Sequence, residues 1–381
     1  MSKKKKKKTK KQHYIPRFVL RGFSDDGISV KVHYVLENTE KTIQINNSKA
    51  GEFWIKNLYE DEDYETNLLE DRLSLIESQI ADIYIKKILK KDEIHLNRWH
   101  TKLLRLNALL DSSRAFASIL VRENKKGGKI FNERNSKLTN LEIKKNFIER
   151  IKYLSFDVYD YMKKEADMLD EKGKGFISKD FHKTYEFFLG NTSYSELQES
   201  LSLKNEIEQA TNSIYNLYTA RTVFIRISDD LDKNFLYSDA QLVEFYGTKI
   251  SEVSRTPILW AKIINPKNAI VYVIKDIPFN NDKSVFAKET FWDLELPKIF
   301  DAKNRFIPKD KNNSPYTRKN SNEDQYIFDK HLLVSDRQVD LINAMFLSQA
   351  QKEVVYVDEK DLKSAFKTIK EENIYRIEDV T

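Results

Sequence analysis

The sequence predicts an α+β protein, because helical and strand patterns occupy different parts of the chain. Apolar residues spaced by threes and fours dominate the middle, whereas short β-branched and aromatic runs dominate from Arg221 onward. Such segregation favours α+β over a doubly wound sheet, in which the two would alternate. We expect an N-terminal short helix and β-hairpin, a central bundle of long helices, and a C-terminal mixed β-sheet with flanking helices.

The chain opens with the short helix and the hairpin. Pro16 suits the first position of a helix, and Val19 and Phe23 lie one turn apart on its apolar face. Alternation predicts the hairpin strands at 28–36 and 42–45. Four long helices follow, the last two opened by capping-box spacings. They span Asn67 to Lys91, Leu96 to Arg122, Thr139 to Met168 and Ser193 to Ala220.

Short strands and two closing helices complete the prediction. Asn265-Pro266-Lys267-Asn268 forms a turn between two strands, and residues 301–325 have the composition of a long surface loop. The strands are Thr222 to Ile227, Phe235 to Ser238, Pro257 to Ile264, Ala269 to Ile274 and Val354 to Val357, and the helices are Ser335 to Gln351 and Glu359 to Glu371.

The charge of the chain is concentrated at its start. The 381 residues carry 65 basic and 59 acidic side chains, a formal charge of +6. Eight lysines lie in the first eleven residues, so residues 12–381 sum to +6 − 8 = −2, which excludes a globally basic nucleic-acid coat protein. We expect a disordered basic arm at 1–11, a mainly helical region at 12–220, and a β-rich region at 221–381 that packs with it as one unit.

Absences from the sequence exclude several function classes. With no cysteine there is no disulfide, no thiolate nucleophile and no Cys-ligated metal, which leaves His, Asp and Glu as metal ligands. The chain has no apolar run of about 18 residues, and no P-loop, dinucleotide-binding, Gly-x-Ser-x-Gly, His-Glu-x-x-His or kinase motif. We therefore expect a cytoplasmic protein without a membrane span.

His13 belongs to the most distinctive segment of the chain. An imidazole just before the helix that Pro16 starts lies at the positive end of the helix dipole, which would lower its pKa and keep it neutral, as a metal ligand or a general base requires. The alternative is that His13 caps the helix while Tyr14 and Phe18 fill the core, and physical reasoning alone favours this alternative.

Carboxylates supply the other candidate site residues. Glu70 and Glu77 are seven residues apart on one face of a predicted helix, where two carboxylates can hold Mg²⁺ or Mn²⁺. Asp239 follows a predicted strand, a position that suits a metal ligand or a turn. More often, such glutamates pair with an arginine or a lysine on a neighbouring helix. Candidates are Arg72, Arg105 and Arg114.

The segment from His13 to Phe23 resembles the signature His-[His/Tyr]-x-Pro-x-Phe-x-Leu-x-x-Phe of a bacterial family, domain-of-unknown-function family 4238. Further similar segments follow in the family's order, so that the resemblance spans residues 12–358. Ala240-Gln241 replace the usual Asn-Pro of the family. The similar segments are Glu70 to Glu77, Leu236 to Asp239, Ile264 to Ala269, and Ile342 to Ala344 with Gln349-Ala350. The resemblance implies a shared fold and a pocket built from His13, Glu70, Glu77, Asp239 and Asn343.

These observations favour a metal-dependent nuclease-like effector acting on RNA or DNA. His13 would be ligand or general base, and Glu70, Glu77 and Asp239 would hold Mg²⁺ or Mn²⁺. The alternatives are a non-catalytic nucleic-acid-binding or regulatory protein whose His and Glu residues are structural, and an enzyme acting on a nucleotide or another small molecule. Codon drift in an AT-rich genome would also produce the lysine run. Predicted phosphate contacts are Lys3, Lys4, Lys5, Lys6, Lys7, Lys8, Lys10, Lys11 and Arg17.

Overall fold

The protein has the predicted α+β class. A computed structural model describes residues 11–49, 52–59, 67–124, 140–164, 220–245, 259–273, 305–307, 323–372 and 374. Two π-helical turns are present, Tyr84–Ile88 directly after the second helix and Tyr153–Val158 between the fourth and fifth helices. The helices are α1 (Arg17–Gly22), α2 (Leu68–Ile83), α3 (Arg98–Asn124), α4 (Asn140–Lys152), α5 (Tyr159–Lys164), α6 (Asp336–Ser348) and α7 (Glu359–Glu371).

The strands of the described residues form three sheets. They are β1 (Lys11–His13), β2 (Ser29–Tyr34), β3 (Thr39–Gln44), β4 (Trp54–Lys56), β5 (Glu93–Asn97), β6 (Arg221–Ile227), β7 (Tyr237–Ser238), β8 (Val243–Phe245), β9 (Leu259–Asn265), β10 (Asn268–Val273), β11 (Arg305–Ile307), β12 (Gln325–Leu333) and β13 (Glu353–Tyr356). The largest sheet has the order β11-β12-β6-β10-β9-β8, with β5 also paired to β12. The second has the order β3-β2-β13-β7, and β1 pairs with β4 as a two-stranded ribbon.

The large sheet is mixed, since β12 runs parallel to β6 while its other pairs are antiparallel. Its central hairpin has the predicted turn, in which the side-chain Oδ1 of Asn265 accepts hydrogen bonds from the backbone N–H of Lys267 (3.0 Å) and Asn268 (2.8 Å). Every residue of β10 is buried, so both faces of the sheet are covered there. Tyr272 of β10 donates its hydroxyl hydrogen to the carbonyl of Leu104, which places α3 against this sheet (3.1 Å).

The two closing helices have defined N-termini and form a second core with β13. Ser335 and Gln338 form a capping box at α6, and Asp358 accepts from the backbone N–H of Lys360 at α7 (3.0 Å). Residues of α6, α7, β13 and the loops beside them share a buried apolar cluster. β13 pairs with β2 and β12 pairs with β5, so strands from 12–220 and from 221–381 share both larger sheets.

Several strands differ from the sequence prediction, mostly because three residues carry too little alternation to be recognised. β1 and β4 were not predicted, and Lys11, which we assign to the basic arm, lies in β1. Arg305–Ile307 is a strand inside the predicted loop. Leu96 lies in β5 rather than beginning a helix, since β5 continues to Asn97 and α3 starts at Arg98. The predicted helix at 193–220 lies outside the described residues, apart from its last position.

Candidate functional site

The ribbon formed by β1 and β4 has one buried face and one outward face. Lys11 pairs with Lys56, and His13 pairs with Trp54. Residues directly opposite each other in an antiparallel pair project to the same side, as do residues two apart on one strand. The intervening Gln12 and Ile55 are 0% and 5% exposed. The outward face therefore presents Lys11, His13, Trp54 and Lys56 together, and we call these four residues the outer ribbon face.

Hydrogen bonds from Tyr59 hold the ribbon in place. The backbone N–H of Tyr59 donates to the side-chain oxygen of Gln12 (2.7 Å), and its hydroxyl donates to the carbonyl of His13 (3.0 Å). Tyr14, which follows His13, is held by Gln241, whose side-chain N–H donates to the carbonyl of Tyr14 (2.7 Å). Buried partners thus fix the side chain of Gln12 and the carbonyl groups of His13 and Tyr14.

The imidazole of His13 is neutral at pH 7. Arg17 of α1 donates its Nε–H to Nε2 of His13 (3.0 Å), which makes Nε2 an acceptor and places the ring proton on Nδ1. Burial, and then the charges of Arg17, Lys11 and Arg114, together lower the pKa of His13 to about 4. The lowered pKa agrees in direction with the effect expected from the helix dipole, but its causes in the structure are burial and neighbouring cations.

Trp54 is fixed at one edge and covered by a lysine on its ring face. Its Nε1–H donates to the carbonyl of Ser48 (2.9 Å), and the ammonium of Lys11 lies 4.8 Å from the ring centroid. Trp54 is half-buried and Lys11 is exposed. Arg17 is also exposed, so the outer ribbon face carries solvent-accessible cations around an indole and a neutral imidazole.

A buried ionic network lies next to Tyr59. Arg114 of α3 is 2.6 Å from Glu77 of α2 and 3.5 Å from Asp111, and its side chain is only 2% exposed. Lys262 of β9 forms a buried ion pair with the same Asp111. Asn107 donates its side-chain N–H to Asp111 (2.9 Å). Two cations and two carboxylates from three elements are thereby balanced inside the protein, and we call these four charged residues the buried ionic network.

The network and the ribbon are adjacent. The guanidinium of Arg114 lies 6.0 Å from the ring centroid of Tyr59, whose hydroxyl binds the carbonyl of His13. Burial opposes the charge of Arg114, but the carboxylates of Glu77 and Asp111 raise its pKa above the ordinary range, so the guanidinium stays charged. Burial also raises the pKa of Tyr59, which keeps the phenol a hydrogen-bond donor. Tyr59 therefore connects the outer ribbon face to the network beneath it.

Of the predicted site residues, His13, Glu70 and Glu77 all lie around Tyr59. The charges of Glu70 and Glu77 both act on the Tyr59 hydroxyl, and that hydroxyl contacts the backbone of His13. Of the candidate arginine partners, Arg114 pairs with Glu77. Within the part of the chain that the structure describes, no three His, Asp or Glu side chains are grouped closely enough to hold a metal ion on their own.

Asp239 lies in the turn that follows β7, and Asn343 lies within α6. The two carboxylate oxygens of Asp239 accept from the backbone N–H groups of Gln351 (2.9 Å) and Lys352 (3.1 Å). Asn343 accepts from the N–H of Leu236 (2.8 Å) and donates to the carbonyl of Asn234 (2.8 Å). Both side chains are fully buried and engaged with backbone groups, an arrangement that favours a structural role.

The other candidate partners and the lysine run have different positions. Arg72 binds Asp160, and Arg105 donates to the carbonyl of Ala220 (3.0 Å). Lys11 and Arg17 are exposed beside His13, whereas Lys3 to Lys8 and Lys10 lie outside the described residues.

Sequence reasoning missed Trp54, Lys56, Tyr59, Asp111 and Lys262. Trp54-Ile55-Lys56 does alternate, but a three-residue alternation has no meaning until its partner strand is known. Asp111 lies inside an apolar helical stripe, and its contact with Lys262 joins positions 151 residues apart. Lys262 is the one of these residues that the sequence could have indicated. It interrupts an otherwise apolar strand, and a lysine at such a position is rarely buried without a partner.

The fold and this site together define an α+β protein with a basic and aromatic surface over a buried ionic network. The chain belongs to the family described as protein of unknown function (DUF4238), whose model matches residues 11–360. No curated protein and no solved structure matches the chain. None of the described helices combines the length and the apolar composition needed to cross a bilayer.

Proposed function

We propose that the protein acts in the cytoplasm on RNA or DNA as a nuclease-like effector, with the nucleic acid bound at the outer ribbon face. The observation that carries the proposal is the common projection of Lys11, His13, Trp54 and Lys56 beside Arg17. Exposed cations attract phosphates at small desolvation cost, and a neutral imidazole among them can accept a proton. Lys3 to Lys8 and Lys10, which directly precede this face in the sequence, would add non-specific phosphate contacts.

His13 would be the general base of phosphodiester cleavage. Its Nε2 would take a proton from water, or from a 2′-hydroxyl of RNA, as that oxygen attacks phosphorus and the bond to the leaving nucleotide oxygen breaks. The leaving oxygen would take a proton from solvent. Arg17 donates to Nε2 of His13 in the free protein. On substrate binding, its guanidinium would donate to the phosphate oxygens instead, which would free the lone pair of Nε2 to accept a proton. The negative phosphate would also raise the pKa of His13 from about 4 toward the working pH.

Mg²⁺ or Mn²⁺ is the ion we propose for this reaction, with Glu70 and Glu77 as its protein ligands. Mg²⁺ is usually bound through one or two carboxylates together with water and substrate phosphates, so two glutamates near the site suffice. Glu77 would have to exchange part of its contact with Arg114 for the ion. Asp239 could bind the ion only by giving up its hydrogen bonds to two backbone N–H groups, which makes it a weaker candidate for a metal ligand than the two glutamates.

The test is a cleavage assay with labelled RNA and DNA of the same sequence, each with Mg²⁺, with Mn²⁺ or with EDTA. We expect cleavage by the full chain and a loss of at least about 100-fold on His13→Ala, the usual contribution of a general base. His95→Ala is the matched control, because His95 is an exposed histidine of β5. Absent cleavage, or equal cleavage by wild type and His13→Ala, would rule out the nuclease.

A non-catalytic nucleic-acid-binding protein is the second candidate, favoured by the hydrogen bond that occupies Nε2 of His13. If Arg17 keeps that bond in the complex, His13 is a structural partner of Arg17 and cannot act as a base. The same assay then shows binding by gel shift without cleavage, and Arg17→Gln lowers affinity more than His13→Gln does.

A further inference from the structure

Trp54 is the member of the outer ribbon face that charge alone does not explain. An indole contributes little to phosphate attraction, yet it stands opposite His13 with one ring face turned to the side where Lys11 and Lys56 project. Its edge is held by the hydrogen bond to Ser48, which orients the ring without using its π-surface. The indole is therefore a preset flat surface next to cations.

A ligand can displace Lys11, the side chain that covers the indole ring. Lys11 lies over the ring at 4.8 Å, and a cation–π contact at an exposed site is worth only about 0.5–1 kcal/mol. The lysine side chain is exposed and flexible, so its ammonium can move to a phosphate while a ring of another molecule takes its place. A cation beside an aromatic platform is the arrangement that proteins use for single strands.

We infer that the nucleic acid recognised here is single-stranded, with one unpaired base stacked on Trp54 and its flanking phosphates held by Lys11, Arg17 and Lys56. This inference rests on the proposed function and adds the class of substrate. In a duplex both faces of each base are already stacked on neighbours, so a protein ring can reach only a base that is unpaired or extruded. Stacking depends little on base identity, and the site is therefore expected to tolerate different sequences.

Alternatively, Trp54 and Lys11 simply stabilise the ribbon. This structural explanation predicts that replacing the indole lowers the melting temperature and affects all nucleic acids equally. The inference predicts a loss confined to single strands. Trp54→Leu removes the flat ring, whereas Trp54→Phe keeps an aromatic surface and serves as the second variant if Trp54→Leu unfolds.

The experiment measures fluorescence anisotropy of labelled 12-nucleotide oligouridylate, oligothymidylate and a 12-base-pair DNA duplex, titrated with the full chain at one fixed salt concentration. We expect both single strands to bind at least about tenfold more tightly than the duplex. Trp54→Leu should weaken single-strand binding by about tenfold or more, the range of one lost base stack, and change duplex binding by less than about twofold. Trp54→Phe should retain most of the affinity. Phe116→Leu is the control, because Phe116 is an exposed aromatic residue of α3.

Each outcome decides the question. Equal or tighter binding of the duplex, or a folded Trp54→Leu variant with unchanged single-strand affinity, overturns the inference and leaves the proposed function standing. Equal losses on single strands and duplex by Trp54→Leu with a lowered melting temperature overturn it in favour of the structural explanation. If the wild type binds none of the three probes, the proposed function fails as well.

Discussion

The outer ribbon face and the buried ionic network are both built from charged residues around Tyr59, but they differ in hydration. Lys11 and Arg17 are exposed to water, so solvent and salt screen their charges. Arg114 and Lys262 have almost no exposed surface, and both are paired with the buried carboxylate of Asp111. Removing one partner of a buried ion pair destabilises the fold, whereas we propose that the exposed charges beside the neutral histidine bind nucleic acid. Substitutions should therefore separate the two regions.

The largest expected effect is on the buried ionic network. Arg114→Met leaves the partly exposed Glu77 without its cation and Asp111 with Lys262 alone, and should lower the free energy of unfolding by about 3 kcal/mol, the lower end of the range for a broken buried pair. The measurement is denaturant unfolding of the full chain. Lys86→Met is the control, since Lys86 and Asp82 form an exposed pair that should change stability by about 0.5 kcal/mol or less. A loss below about 1 kcal/mol on Arg114→Met would mean that the network does not hold the fold.

A smaller effect is expected at Asp239, which tests whether this carboxylate is structural. Asp239→Asn removes one acceptor and the negative charge facing the N–H groups of Gln351 and Lys352, so unfolding should become easier by about 1–3 kcal/mol. Activity per folded molecule should not change. Asp82→Asn, on the exposed face of α2, provides the comparison. Normal stability with lost activity would instead identify Asp239 as a ligand of the proposed metal ion.

The pH dependence of stability tests His13. Burial first, and then nearby cations, lower its pKa from 6.5 to about 4, so between these values the unfolded chain binds a proton that the folded chain does not. The stability that the neutral ring provides is therefore complete above pH 6.5 and is lost as the pH falls toward 4. We expect this loss to be about 1–2 kcal/mol larger in wild type than in His13→Gln, after allowance for partial exposure. Identical pH profiles would show that His13 titrates normally.

The smallest effect at physiological salt is expected from the lysine run. Replacing Lys3 to Lys8 and Lys10 by glutamine should weaken nucleic-acid binding by only a few-fold at about 0.15 M salt, and more at lower salt. The slope of log affinity against log salt should become shallower, by about 0.7 per lost contact on a single strand. The preference for single strands should persist, because it depends on Trp54. An unchanged slope would favour codon drift as the origin of the run.

The sequence predicts features that depend on a single helix or strand. It does not predict contacts between elements that are far apart in the chain. The periodicity of Leu69, Leu73, Ile76 and Ile80 predicts α2, because helical spacing is local. His13 stands out through its motif, yet the burial and the neighbouring cations that lower its pKa come partly from segments that the motif does not contain, such as Arg114 of α3. The pairing of His13 with Trp54 depends on strands 41 positions apart, and no local spacing encodes it.

The central claim is that nucleic acid binds at the outer ribbon face, and NMR of the histidine and indole side chains tests it most directly. The full chain is titrated with 12-nucleotide oligouridylate, with signals assigned through His13→Gln and Trp54→Phe. We predict that the resonances of His13 and Trp54 shift in proportion to binding, while those of His33, which is 3% exposed, stay fixed. Saturable binding that leaves the His13 and Trp54 resonances unmoved would contradict the account.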